Sequence, residues 1–420
     1  MIRIFRASDP EASRLRAAAA MPAGVPAAVS SIVADVRARG DAAVRELTEK
    51  YDGARLESLF LDNARWDALA AQCPAKVRDA LELAHRRVRA FHAPQIPGSY
   101  EIRLEGGAIL RSIALPLQRA ACYVPGGRAA YPSTVIMTAT VARLAGVPEV
   151  IVATPPRRDG AILPEVAAAA RIAGATRILL TGGAQAVAAL ALGTQTVPRV
   201  DVIVGPGNAY VTEAKRQLSG EVRIDSLAGP TEVAIVADES ADPAVVAVDL
   251  IAQAEHDPLA LAVLLTPDVQ LAKAVVEALG REEIGPVAAE SLRSRGAAIV
   301  TRDLDEALAF ANELAPEHLE LLLRDAAAAV AMVPRAAAVF VGGFSPVPVG
   351  DYLAGPNHTL PTSGTARFAS PLGAADFVRR QNVIEYSAGQ LGNDAGHIVA
   401  LAEAEGLHAH ARAVTVSRKK

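Results

Sequence analysis

The sequence predicts an α/β protein with parallel sheets, on three observations. Short Val/Ile/Leu-rich runs alternate with helical patterns of about ten residues from residue 120 onward. Glycine-rich turns punctuate the strand-to-helix steps. The apolar share, 51% of 420 residues, is carried by Ala, Val, Leu and Ile, with aromatic residues at only 4%. Strands that alternate with helices form βαβ units, and these build parallel sheets covered by helices on their faces. Two Rossmann-like α/β domains are expected, with a small N-terminal helical arm and a C-terminal helical tail.

The elements follow in order. Residues 27–93 place apolar side chains at three-to-four spacing and read as helical, with Asp41 after Gly40 as an N-cap restart. His85 and His92 fall on this charged helical material and read as surface residues. The first α/β series runs ACYVPGG, STVIMTATVARLAG, EVIVATPP, EVAAAARIAG, RILLTGG, AQAVAALALG, VDVIVGPGN and AYVTEAKRQL. A second runs EVAIVAD, AVVAVDLIAQAEH, LALAVLLTP, VQLAKAVVEALG, AAIVTR, LDEALAFANELAP and AAAVFVG. Two such units side by side offer a cleft for a cofactor and a substrate. The tail from about 373 has a helical pattern and ends in the basic SRKK.

Composition excludes several classes. Net charge is −4 and no Lys/Arg stripe is interleaved with aromatics, so no nucleic-acid partner is expected. No run of about 18 apolar residues occurs, so no membrane span is expected. The first 24 residues lack the continuous apolar core of a signal peptide. Cys73 and Cys122 have neither metal-type spacing nor the numbers for a disulfide framework, which suits a reducing, cytoplasmic setting. Cys122 reads as a small apolar filler.

The turns PGG (125–127), TGG (181–183) and GPG (205–207) each precede a helix. Glycine lets backbone approach a ligand, and helix N-termini offer N–H groups to phosphate. The usual dinucleotide fingerprint is absent, because Tyr210 stands where its third glycine would fall. Tight turns alone would also explain these glycines.

Eight histidines leave few metal candidates. Gln253 and His256, three apart on a predicted helix, share a face. Imidazole is a common zinc ligand and an amide oxygen an uncommon one. Asp351 and His358 lie in a Gly/Pro-broken segment after a predicted strand, where ligand clefts form. His408 and His410 sit near the C-terminus. Pooled, Gln253, His256, Asp351 and His410 could complete a mixed N/O site, although spacing alone does not bring them together. Glu317 and His318, adjacent in APEHLEL, could be a proton-transfer pair or an ordinary turn after a proline.

Taken together, the motifs YVPGG (123–127), GGAQAVAAL (182–190), VDVIVGPGNAYVTEAK (200–215), IDSLAGPTEVAIVAD (224–238), QAEHD (253–257), APEHLE (315–320), GDYLAGPNHTLPTSGTARF (350–368) and AEGLHAHARAV (404–414) resemble the histidinol dehydrogenase family. They run in family order across nearly the whole chain. Thr231 stands where many members have Ser, which keeps the hydroxyl, and Cys122 replaces a different small or apolar residue.

The resemblance implies an aldehyde-dehydrogenase-like architecture and a zinc-dependent homodimer. The implied reaction takes L-histidinol to L-histidine in two NAD-dependent steps through histidinal. It puts the zinc ligands on Gln253, His256, Asp351 and His410, the last supplied across the dimer. Substrate contacts fall on Thr231, Gln253, His256, His318, Asp351, Glu405 and His410, with His358 a further candidate. NAD contacts fall on Tyr123, Gln185 and Asn208, and the catalytic pair on Glu317 and His318.

The division this implies is an arm at 1–24, a zinc and substrate domain at 25–118 with 225–372, an NAD domain at 119–224 and a dimer-crossing tail at 373–420. The alternatives are a related zinc- and NAD-dependent dehydrogenase of another small polar alcohol, or a non-catalytic nucleotide-binding protein with a structural metal.

Overall fold

The structure, a computed structural model, describes residues 2–15, 22–126 and 131–417. The last glycine of PGG, Gly127, and all of SRKK except its serine lie outside the described residues. Two parallel sheets organise the chain. The first orders its strands Arg177–Leu180, Glu149–Thr154, Arg119–Tyr123, Val202–Val204 and Arg223–Ile224. The second orders Arg3–Arg6, Gly296–Val300, Leu261–Thr266, Glu232–Ala237, His318–Leu322 and Ala338–Val341.

Apart from the edge strand Arg3–Arg6, each sheet starts centrally, winds out one way and then reverses, so each has a switch point. In the first it lies between Arg119–Tyr123 and Val202–Val204, and in the second between Glu232–Ala237 and His318–Leu322. Open α/β sheets bind ligands at such points, in the crevice outside the carboxyl ends of the strands.

Alternation along the buried strands distributes side chains to two faces. In the first sheet Ala120, Cys122, Val150 and Val152 pack on one face, and Ala121, Tyr123, Ile151 and Ala153 on the other. The helix Gly183–Leu192 is buried from Ala184 to Ala191, because it lies between that sheet and the helices Val25–Arg39 and Asp41–Asp52. A helix apolar all round is stable only in such a sandwich.

Several expectations are corrected. The helices of residues 25–92 bury Val29, Val36, Trp66, Leu81 and Val88 in the two cores of the first sheet. They therefore pack with the unit expected at 119–224, not with 225–372, because their apolar stripes cover that sheet's faces. The N-terminal arm carries the expected helix, Pro10–Leu15, and before it an unexpected strand, Arg3–Arg6, that pairs in parallel with Gly296–Val300. In the tail, Val378–Glu385 is a strand antiparallel to Ile109–Pro116, which also pairs Tyr100–Arg103. The partners of both strands lie more than 250 residues away, beyond the reach of local periodicity.

His92 is buried at 1% exposure, with Nδ1 2.8 Å from Gln95 Oε1. It continues the inward stripe of Leu81, Ala84 and Val88 on the helix Ala75–His92. His85 is half-buried beside Thr140, at 3.0 Å. Asp41 is not a cap: Gly40 occupies that position, and the Asp41 carboxylate accepts from Thr194 Oγ1 and Thr196 Oγ1. Cys122 is fully buried, and burial pushes its thiol up to about 12, in keeping with an inert filler.

Candidate functional site

The helix Leu304–Leu314 ends at Ala315, whose φ of 48° is left-handed and unusual for a residue with a Cβ. Pro316 stops the helix from continuing, and the chain drops straight into the central strand His318–Leu322. Leu319 and Leu321 turn into one core, which leaves His318 and Glu320 on the opposite face. APEHLEL is thus the buried entry to a strand, not a surface turn.

Glu317 Oε2 accepts from Thr231 Oγ1 at 2.5 Å and from the Glu232 backbone N–H at 3.0 Å. Burial raises its carboxyl to about 7, against the pull of those two donors, and the nearby Asp351 charge adds to the rise. His318 Nδ1 lies 3.0 Å from the Glu232 carbonyl, which fixes the proton there and leaves Nε2 bare, 3.9 Å from Asp351 Oδ1. Burial depresses the imidazole pKa, so the ring is a neutral base.

Gln253 ends the helix Pro243–Ala254 and donates from Nε2 to Thr231 Oγ1 at 2.6 Å. Its Oε1 is buried and has no hydrogen-bond partner. His256, just past the helix, turns Nδ1 back to the Ala252 carbonyl at 3.0 Å, which leaves Nε2 free at an exposed position. Asp351 lies on the short helix Val347–Tyr352, not in a loop. His358 Nδ1 meets the Asp351 carbonyl at 2.9 Å, and its Nε2 meets Thr134 Oγ1 at 3.2 Å on the helix Pro132–Leu144. Asn357 donates to the Met137 carbonyl of that helix at 2.7 Å. Segment 357–358 thereby staples the two α/β units together beside the acid.

The glycine turns differ from expectation in detail. The N–H of Gly183 is taken by the buried Tyr123 hydroxyl at 3.0 Å, and that of Gly182 by the Asp52 carboxylate. Asn208 Oδ1 caps its own helix, accepting from Tyr210 N at 3.0 Å and Val211 N at 3.2 Å. These helix starts are therefore satisfied internally and offer those N–H groups to no phosphate. Gln185 is buried at 2% exposure, its side chain folded against Gly183.

The turns instead shape the crevice at the first switch point. Gly205 has φ +110°, and a Cβ there would overlap the Tyr123 carbonyl oxygen. Lys215 Nζ holds the turn from below, donating to the Gly205 carbonyl at 2.6 Å and Asp225 Oδ1 at 2.7 Å.

A cleft of about 100 Å³ is lined by Gly205, Gly207, Thr231, Glu317, His358 and Thr362. The carboxyl edge of the first sheet's switch point faces the amino edge of the second's. Thr231, Glu317 and His318 stand at strand starts, so half of the site lies opposite to where the open-sheet rule puts it.

The structure brings Thr231, Gln253, Glu317, His318 and Asp351 into one cluster, with His256 and His358 close enough to bear on its charges. It does not bring Glu405 or His410 there. Both are exposed at the end of the helix Ala388–Ala404 and on His408–Ser417. Among the described residues, no group of three or more His, Cys, Asp or Glu is placed to hold a metal ion. Sequence reasoning missed the buried acids Glu232 and Glu320, Asp225, whose side chain is 5% exposed, and the half-buried Asp52. Two of them, Asp225 and Glu232, lie within the quoted IDSLAGPTE, where each hydrophilic residue in an apolar stretch was the available signal.

The family model described as histidinol dehydrogenase matches residues 16–418. A histidinol dehydrogenase of a Synechococcus species is 49% identical over 399 residues, which cover 94% of this chain and 92% of the relative. One from Halalkalibacterium halodurans is 46% identical, with 93% of each chain covered. The crystal structure of histidinol dehydrogenase from Elizabethkingia anophelis superposes with a TM-score of 0.92 at 32% identity, over 100% of this chain and 98% of that one. With residues 16–418 matched by the family model and relatives of 46–49% identity covered over nearly their full length, the chain belongs to the histidinol dehydrogenase family.

Proposed function

We propose that this oxidoreductase takes L-histidinol to L-histidine through L-histidinal, in two hydride transfers to NAD at a zinc-containing site. The observation that carries the reading is the chain Gln253–Thr231–Glu317, which opens onto the same cleft as the Gly205–Gly207 turn.

The residues present fit a metal. A buried amide oxygen without a partner is costly unless something takes it up, and Gln253 Oε1 is such an atom. His256 contributes a bare Nε2 and Asp351 a carboxylate. These three with His410 of the partner subunit would hold zinc. When bound, the ion supplies Lewis-acid anchoring of the substrate's imidazole and amine. A crevice at the glycine turn, where a Cβ on Gly205 would overlap the Tyr123 carbonyl oxygen, also suits NAD, which Tyr123, Gln185 and Asn208 would contact. When bound there, NAD accepts hydride.

The chain's own groups manage protons and position. Nε2 of His318 takes the hydroxyl proton as hydride leaves the alcohol carbon, and the aldehyde forms. Glu317, with a carboxyl near 7, then removes a proton from water as the oxygen adds to the aldehyde carbon, while protonated His318 returns its proton to the aldehyde oxygen and becomes a neutral base again. The resulting diol loses its second hydride as His318 takes the hydroxyl proton, giving the acid. Thr231, Gln253, His256 and Asp351 contact the substrate from this chain, with His358 beside them. Glu405 contacts it from the second subunit.

A dimer is supported by exposed apolar side chains, among them Phe344, Phe368, Ile384 and Leu401, on a chain whose tail carries His410. Among the described residues, no helix is long and apolar enough to cross a membrane. The two unpaired, buried thiols fit a reducing cytoplasm.

The test is NADH formation from L-histidinol after zinc is stripped and then restored. Turnover that disappears and returns with zinc is expected. A zinc-loaded enzyme that ignores L-histidinol and oxidises another small alcohol would overturn the substrate assignment.

A further inference from the structure

Glu320 lies two residues beyond His318 on the same face of its strand and is 1% exposed. Its Oε1 accepts from the backbone N–H of Val347 at 3.1 Å, at the start of the short helix that carries Asp351. Its Oε2 has no ordinary donor, and the carboxyl meets the side chain of Asp249. Asp249 lies one turn before Gln253 on the helix Pro243–Ala254. Two carboxyls in contact, Glu320 buried and Asp249 half-buried, repel as anions, which favours a proton kept on one of them and donated to the other. Burial, and then the Asp249 charge, push Glu320 up to about 8; burial also raises Asp249.

The geometry points to Glu320 and Asp249 as a positioning pair for the binding site. One carboxyl thereby joins the strand of His318, the helix of Asp249 and Gln253 and the helix of Asp351. Neither residue touches the reacting atoms. Apolar side chains of similar volume would fill the space, but they are non-directional and would leave the three elements free to slide. Hydrogen bonds to Val347 and Asp249 fix distance and angle. Outer partners of this kind hold ligand side chains at the spacing a metal needs.

This inference rests on the assignment of Gln253, His256 and Asp351 as zinc ligands. The experiment measures zinc affinity by chelator competition in the full-length protein, with KM for L-histidinol and for NAD alongside. Glu320→Leu is expected to weaken zinc about 10- to 100-fold and to raise KM for L-histidinol, with KM for NAD unchanged. Glu320→Gln can accept from Val347 and donate to Asp249 without a shared proton, so it is expected to retain zinc affinity. Asp249→Ala leaves the Val347 bond in place and is expected to weaken zinc in the same direction. It serves if the leucine variant fails to fold.

Parental zinc affinity in a folded Glu320→Leu or Asp249→Ala protein overturns the pair's role. So does a Glu320→Gln protein that loses as much zinc affinity as the apolar variants. A parent protein without zinc affinity sinks the ligand assignment and the pair together. A zinc-binding parent whose Leu and Ala variants bind equally well sinks the pair alone.

Discussion

The hydroxyl of Thr231 donates to Glu317 Oε2 at 2.5 Å. With the Glu232 N–H, that bond opposes the rise that burial imposes on the carboxyl. A donor stabilises the ionised form only, so its removal raises the pKa further. Hydrogen bonds to charged groups contribute roughly 1.5–3 kcal/mol, or about one to two pH units. Water activation needs the ionised carboxylate. Thr231→Val should therefore move the acidic limb of the aldehyde-oxidation profile to higher pH by about that amount, and Thr231→Ser should leave it in place. An unmoved limb in the valine variant would remove the hydroxyl from this role.

Gly205 lies with its backbone close against that of Tyr123. At φ +110° an alanine would be strained, by about 1–3 kcal/mol for the backbone, and its Cβ would press on the Tyr123 carbonyl. Gly205→Ala should lower the melting temperature and raise KM for NAD far more than KM for L-histidinol. Equal effects on the two constants would argue against a cofactor crevice at this turn.

Beneath the same turn, Lys215 and Asp225 form an ion pair at 2.7 Å with side chains 3% and 5% exposed. Removal of one partner strands the other charge in a dry site, at about 3–5 kcal/mol. Lys215→Met should show that loss in denaturant unfolding. A loss under 1 kcal/mol would mean that water reaches the pair.

Much of this site was legible as residue types, and much less as placement. The βαβ rhythm of residues 120–341 announced both sheets, since every buried strand there except one is a continuous apolar run between turn signals. The exception is HLELL, where His318 and Glu320 break the run, so the strand that begins at His318 did not read as one. Its burial comes from pairing with Val233–Ala237 and Ala338–Val341, which no local pattern discloses. The same holds for Arg3–Arg6 and Val378–Glu385, whose partners are remote in sequence. Gln253 and His256 were legible as neighbours on a helix. Their meeting with Asp351 required the fold, and the glycine turns suggested phosphate contacts at N–H groups that Tyr123, Asp52 and Asn208 already occupy.

The most direct measurement is the NADH yield per L-histidinol for Glu317→Gln beside the parent enzyme. The division of labour assigned here gives His318 the alcohol proton and Glu317 the water, and it predicts two NADH from the parent. The variant should stop near one, with histidinal released or accumulated. Two NADH at the parental rate from the variant, or an equal loss of both oxidations, would contradict it.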